Sequence, residues 1–90
     1  MFEARDNTAA APATGVHSGF IDSSRERLKT VAPLLSPREV EVCIRIMLGV
    51  TSEGIGIDLG ISRNTVLTYR KRAYARLNIS SQNQLFRLVM

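Results

Sequence analysis

Cysteine is almost absent from this sequence of 90 residues: Cys43 stands alone, so no intrachain disulfide can close and no Cys-x-x-Cys pair offers a zinc site. That fits a reducing cytoplasm. Long apolar runs are missing too. Residues 1–20 carry Glu3 and Asp6 where a secretory signal would be continuously apolar. No segment has the roughly 20 apolar residues a spanning helix needs, so neither export nor a membrane partner is expected. Acidic residues stop at Asp58. Residues 1–60 hold six Lys/Arg and eight Asp/Glu, net −2, whereas residues 61–90 hold six Lys/Arg and no acid, net +6, which together make the chain's +4. A one-sign block repels itself unless a polyanion meets it.

What remains is an ordinary globular balance, with 44% apolar and 22% charged residues. A chain this short makes one small domain at most, too small for a large catalytic cleft. Residues 1–20 are rich in Ala, Thr, Gly and Ser without an apolar period and read as a disordered arm. His17 lies within it as a solvated side chain without partners for metal or proton chemistry.

Residues 21–33 read as a short helix or linker. The run Ser23 to Ala32 opens on a Ser23…Glu26 capping-box spacing and stops before Pro33, with Leu28 and Val31 as its buried side. A second helix follows Ser36 as N-cap, Pro37 as first residue and Glu39 closing the box, and ends at Gly49. Its Val42, Cys43, Ile46 and Met47 form a core stripe, which makes Cys43 core filler.

Three glycines in "TSEGIGIDLGIS", Thr51 to Ser62, suggest a phosphate cradle, but the spacing fails. Leu59 stands where the third glycine of G-x-G-x-x-G belongs, a helix rather than a strand precedes it, and no Asp or Glu follows Asp58 for a ribose. The Gly-Lys-Ser/Thr of a Walker loop is missing as well. A third helix fits better, with Thr51 as cap, Glu53 in the first turn, Ile55 and Leu59 facing inward and Gly60 as terminator. Gly54 and Gly56 each weaken it by about 0.5–1 kcal/mol relative to Ala, so close packing must hold it.

After this turn a longer helix runs from its N-cap Ser62 to Leu77. At 100° per residue Val66, Tyr69, Ala73 and Leu77 share one side, and Asn64, Thr68, Lys71, Arg72 and Ala75 share the other. Two helices joined by a short glycine turn, the second cationic outward, are the parts of a helix-turn-helix DNA reader. A merely solvated face would mix charge signs, and this one has no acid. Asn64, Thr68 and Lys71 suit base edges in the major groove, while Arg63, Arg70, Arg72 and Arg76 suit phosphates. The amides of Arg63 to Thr65, at the helix start, can also meet a phosphate. Tyr69 and Tyr74 read first as core rings. Ser81…Gln84 opens a last helix whose Leu85, Phe86 and Val89 share a side, either completing the core or presenting a stripe to a partner.

Taken together, "LSPREVEVC", "GVTSEGIGIDLGIS", "NTVLTYRKRAYARLNIS" and "NQLF" resemble the C-terminal DNA-binding domain of LuxR/FixJ/GerE-type transcriptional regulators, over about residues 34–90. The resemblance implies an all-α, four-helix helix-turn-helix domain, here preceded by the arm and the short extra helix. It implies a third helix that reads the major groove and a fourth that commonly forms a twofold dimer. By position, the base-reading places fall on Asn64, Leu67, Thr68 and Lys71, and backbone contacts on Thr51, Thr65 and Tyr69. Leu67 replaces a basic residue often found there, exchanging a phosphate or guanine contact for an apolar one. Gly56 stands where the family usually has alanine.

The expectation is a sequence-specific, double-stranded DNA-binding transcriptional regulator, homodimeric on DNA, with RNA polymerase admitted as a further partner. It is expected to work without catalysis, metal, cofactor or small-molecule ligand. About thirty residues precede the match, too few for a sensing fold, so the chain is either a stand-alone regulator or the tail of a larger one. The rival reading is a truncated module that pairs through Leu85, Phe86 and Val89 with a full-length regulator and modulates it. An enzyme ranks last, since a triad would have to recruit His17 from the arm.

Overall fold

Four hydroxyls set the starts of four helices in the computed structural model, which describes the backbone of residues 10–90 and the side chains from Gly19 onward. The helices are α1 (Ala10–Val31), α2 (Pro37–Met47), α3 (Ser52–Leu59), α4 (Arg63–Leu77) and α5 (Gln82–Val89), with no strand among the described residues. Ser36 Oγ accepts from the Glu39 amide at 3.2 Å while Glu39 Oε1 accepts from the Ser36 amide at 2.9 Å. Thr51 caps α3 through the Gly54 amide at 3.0 Å, and Ser62 caps α4 through the Thr65 amide at 3.1 Å. Ser81 and Gln84 close a second reciprocal box on α5. Each such cap is worth about 1 kcal/mol. The helix ends are equally local: Gly49, Gly60 and Asn78 take the left-handed conformation at φ 83°, 71° and 58°.

α2 is the central rod. Val40, Val42, Cys43, Ile44, Ile46 and Met47 are all buried, and the helix packs against each of the other four. Leu28 from α1, Ile55 from α3, Val66 and Ala73 from α4, and Leu85 and Val89 from α5 complete one core.

α1 departs from the sequence reading. Ser23 is not an N-cap, because the helix already runs through it from Ala10. The cause is tertiary: Phe20, Ser24 and Leu28, spaced by four, form a stripe against α2 and α5, with Ser24 2% and Leu28 0% exposed, and an unbroken helix buries all three. Val31, expected inside, is 40% exposed. Arg25 fastens α1 to α2 with a forked pair to Glu41 at 2.9 and 3.1 Å. Of the arm expected over residues 1–20, residues 1–9 and the His17 side chain lie outside the described residues.

The α5 stripe resolves toward the core. Leu85 is 0% and Val89 6% exposed, so neither forms a free partner face; α1 and α2 cover them. Phe86 is half-buried and packs on the same core, leaving Met90 as the exposed apolar residue at this end.

Candidate nucleic-acid interface

The interface is set by how closely α3 approaches the turn that follows it. A Cβ on Gly56 would stand 2.6 Å from the Ile61 carbonyl oxygen and 3.5 Å from the Arg63 amide nitrogen, both backbone atoms. A bare glycine lets α3 sit directly against the turn, and Gly60 at positive φ reverses the chain into α4. Gly54 differs in kind, since a Cβ there would meet side-chain rather than backbone atoms, Val50 Cγ1 at 2.9 Å and the capping Thr51 Oγ1 at 3.3 Å.

α4 then packs on α2 and α3. Val66 and Ala73 are fully buried, and Tyr69, Tyr74 and Leu77 are partly buried against the core, the inward face expected from the helical period. Burial pushes the Tyr74 phenol above its ordinary pKa, consistent with a core ring rather than a phosphate donor. Outward, Asn64, Thr68, Lys71, Arg72 and Ala75 are exposed, as are Arg63 and Arg70. Leu67 is partly buried yet does not pack on the core; it borders an open groove of about 720 Å³ with Arg70, Lys71 and Ser80.

Hydrogen bonding narrows what each polar group can offer. Thr68 Oγ1 donates to the Asn64 carbonyl at 3.1 Å, leaving its lone pairs and methyl for a ligand. Thr65 shares a 2.8 Å bond with Ser62 Oγ, and the Thr65 amide is taken by the cap, so only the Arg63 and Asn64 amides are left at the helix start. Thr51 is exposed beside α3 with its oxygen occupied by the Gly54 amide.

Charge divides between body and face. Arg25 pairs with Asp22 and Glu41, Arg45 with Glu41 and Asp58, and Lys29 with Glu26. Among the described residues, Arg63, Arg70, Lys71 and Arg72 have no carboxylate partner. Arg76 is the exception on α4. Its guanidinium donates to Glu39 Oε1 at 2.8 Å and to the Leu34 carbonyl at 3.0 Å, so it ties α4 to α2.

Sequence reasoning missed this Glu39–Arg76 tie, the Arg45 bridge from α2 to Asp58 of α3, and the bond from Gln82 Nε2 to the Ile46 carbonyl at 3.0 Å. The partners are 37, 13 and 36 residues apart, beyond any local pattern. No group of three or more His, Cys, Asp or Glu able to hold a metal occurs among the described residues, and no described helix is long and apolar enough to cross a membrane.

Comparison with known proteins agrees with this geometry. The family model described as "Bacterial regulatory proteins, luxR family" matches residues 33–89. The chain is 38% identical over 64 residues to "Probable transcriptional regulatory protein NarL" of Mycobacterium tuberculosis, covering 71% of this chain and 30% of that protein. It is 36% identical over 56 residues to an HTH-type transcriptional regulator from the exeN 3′ region of Aeromonas salmonicida, covering 62% of this chain and 29% of that protein. The chain thus spans about a third of the length of these relatives. No solved structure matches it. A matched segment that contains the α3–turn–α4 unit and all of α2 places this chain in the luxR family of bacterial regulatory proteins.

Proposed function

We propose that this chain binds double-stranded DNA in a sequence-specific manner and regulates transcription in the cytoplasm, with α4 lying in the major groove. The observation that carries the reading is the outer face of α4, where Asn64, Thr68 and Lys71 are exposed among the cations Arg63, Arg70 and Arg72, which have no carboxylate partner among the described residues. An α-helix fits the roughly 12 Å major groove, where such side chains meet base edges while the cations meet phosphates. The Thr51, Thr65 and Tyr69 positions flank this face as backbone contacts. Binding as a homodimer on a twofold site follows from the family resemblance. The rival reading, a partner module acting through Leu85, Phe86 and Val89, has less surface to work with, because Leu85 and Val89 lie in the core and Phe86 is half-buried.

Selection of bound sequences from a random duplex pool tests the proposal. A palindromic winner, bound with a salt dependence of several phosphates, is the expected result. Lys71→Ala should weaken binding to that winner by roughly 1–3 kcal/mol. Equal affinity of variant and parent, or no enrichment at all, would count against it.

A further inference from the structure

We infer that this chain reads the 5-methyl group of a thymine at the centre of each half-site, through Leu67 and the Thr68 methyl. The inference rests on the proposed insertion of α4 into the major groove and adds the chemical group recognised there. Along α4, Asn64 and Lys71 bracket a stretch of about 10 Å at 1.5 Å rise per residue, close to three base-pair steps. At its two ends the helix offers an amide, suited to adenine, and an ammonium, suited to guanine.

Its middle offers neither. Leu67 is apolar, only partly buried, and absent from the side chains packed on the core, so part of its hydrocarbon surface stays open to the groove it lines beside Arg70 and Lys71. Thr68 has committed its hydroxyl proton to the Asn64 carbonyl at 3.1 Å and so brings no free donor to a purine acceptor. Of the groups that base pairs expose in the major groove, the thymine methyl is the apolar one. A leucine with a neighbouring threonine methyl complements it, while a guanine there would leave its O6 and N7 acceptors facing hydrocarbon.

The test uses the full chain and two random duplex pools, one synthesised with thymidine and one with deoxyuridine, which lacks only the methyl. From the thymine pool a T·A pair should be enriched between the positions read by Asn64 and Lys71. In the uracil pool that preference should fall by about fourfold per half-site, equivalent to about 0.8 kcal/mol for one buried carbon. Leu67→Ala should erase the difference between pools while retaining the outer positions of the site. Circular dichroism of this variant should be native, since Leu67 lies outside the core. Equal enrichment of thymine and uracil, or a palindromic winner without a central T·A pair, would overturn the inference and leave DNA binding standing. Enrichment of no sequence in either pool would bring down the proposed function and this inference with it.

Discussion

Replacing Arg76 by alanine should damage the fold and spare the phosphate contacts. The Glu39 side chain is 3% exposed and its Oε1 has two donors, the Ser36 amide at 2.9 Å and Arg76 at 2.8 Å. Removing one partner from a fully buried pair costs about 3–5 kcal/mol, because the remaining charge is left without a counterion. Here the Arg76 side chain is 45% exposed, so water can enter the vacated position and the cost falls to about 2 kcal/mol. Loss of the bond to the Leu34 carbonyl adds about 0.5–1 kcal/mol. The sum, about 2–3 kcal/mol, is a large fraction of the roughly 5–10 kcal/mol that holds a domain of this size. Urea denaturation followed by circular dichroism should show it, with Tm lower by roughly 10–20 °C. Glu39→Gln combined with Arg76→Ala should cost less than the sum of the two single changes, since the double variant buries no orphaned charge. Once allowance is made for folded fraction, the salt slope of DNA binding should not change. A native denaturation midpoint, or a slope reduced by the roughly 0.9 of a lost phosphate contact, would refute the reasoning.

Three further outcomes follow from the packing. Gly56→Val should destabilise by about 2–3 kcal/mol, because a Cβ 2.6 Å from the Ile61 carbonyl forces the turn backbone to shift, whereas Gly54→Ala should cost less, since only the Val50 and Thr51 side chains must give way; equal urea midpoints for the two variants would disprove the close approach. Burial pushes the Cys43 thiol up to about 12, with the Glu39 charge adding to it, so iodoacetamide should label it only in denaturant; native labelling at the rate of a free thiol would contradict this. Glu41 is held below the ordinary glutamate range, first by the hydrogen bond from Arg25 and then by that from Arg45. A depressed folded pKa gives stability that is complete above the unfolded value of about 4.3 and is lost as pH falls through the folded one. The urea midpoint should therefore drop below roughly pH 5, and less steeply in Arg25→Ala; parallel pH profiles would sink that assignment.

What was legible in the sequence is what local geometry decides. An N-cap is a bond between a side chain and an amide three residues on, so Ser36, Thr51, Ser62 and Ser81 could be read without knowing the fold. The two faces of α4 were legible for the same reason, since period alone separates Val66 and Ala73 from Thr68 and Lys71. The extent of α1 was not, because only contact with α5 explains why Phe20 and Ser24 turn inward, and that contact joins opposite ends of the chain. Periodicity likewise put Leu85, Phe86 and Val89 on one side of α5 without deciding whether the core or a partner covers them. The partner of Arg76 was not legible in composition either: it lies in an all-basic block, yet its counterion is a capping glutamate in α2.

That glutamate links the two levels of the structure. Glu39 fixes the start of α2 through Ser36 and holds the last turn of α4 through Arg76, so one carboxylate sets the placement of α4 on the central rod. Arg45 does the same for α3, bridging Glu41 to Asp58. The acids of the body are thereby engaged with body cations and with Arg76, at the end of α4, and among the described residues Glu53 alone of the acids of α2 and α3 lacks a cationic partner. Arg63, Arg70, Lys71 and Arg72 consequently face solvent with no carboxylate partner among the described residues, as a helix must if a polyanion is to be its counterion. The same pairing that fastens the scaffold is what leaves its outer face positive.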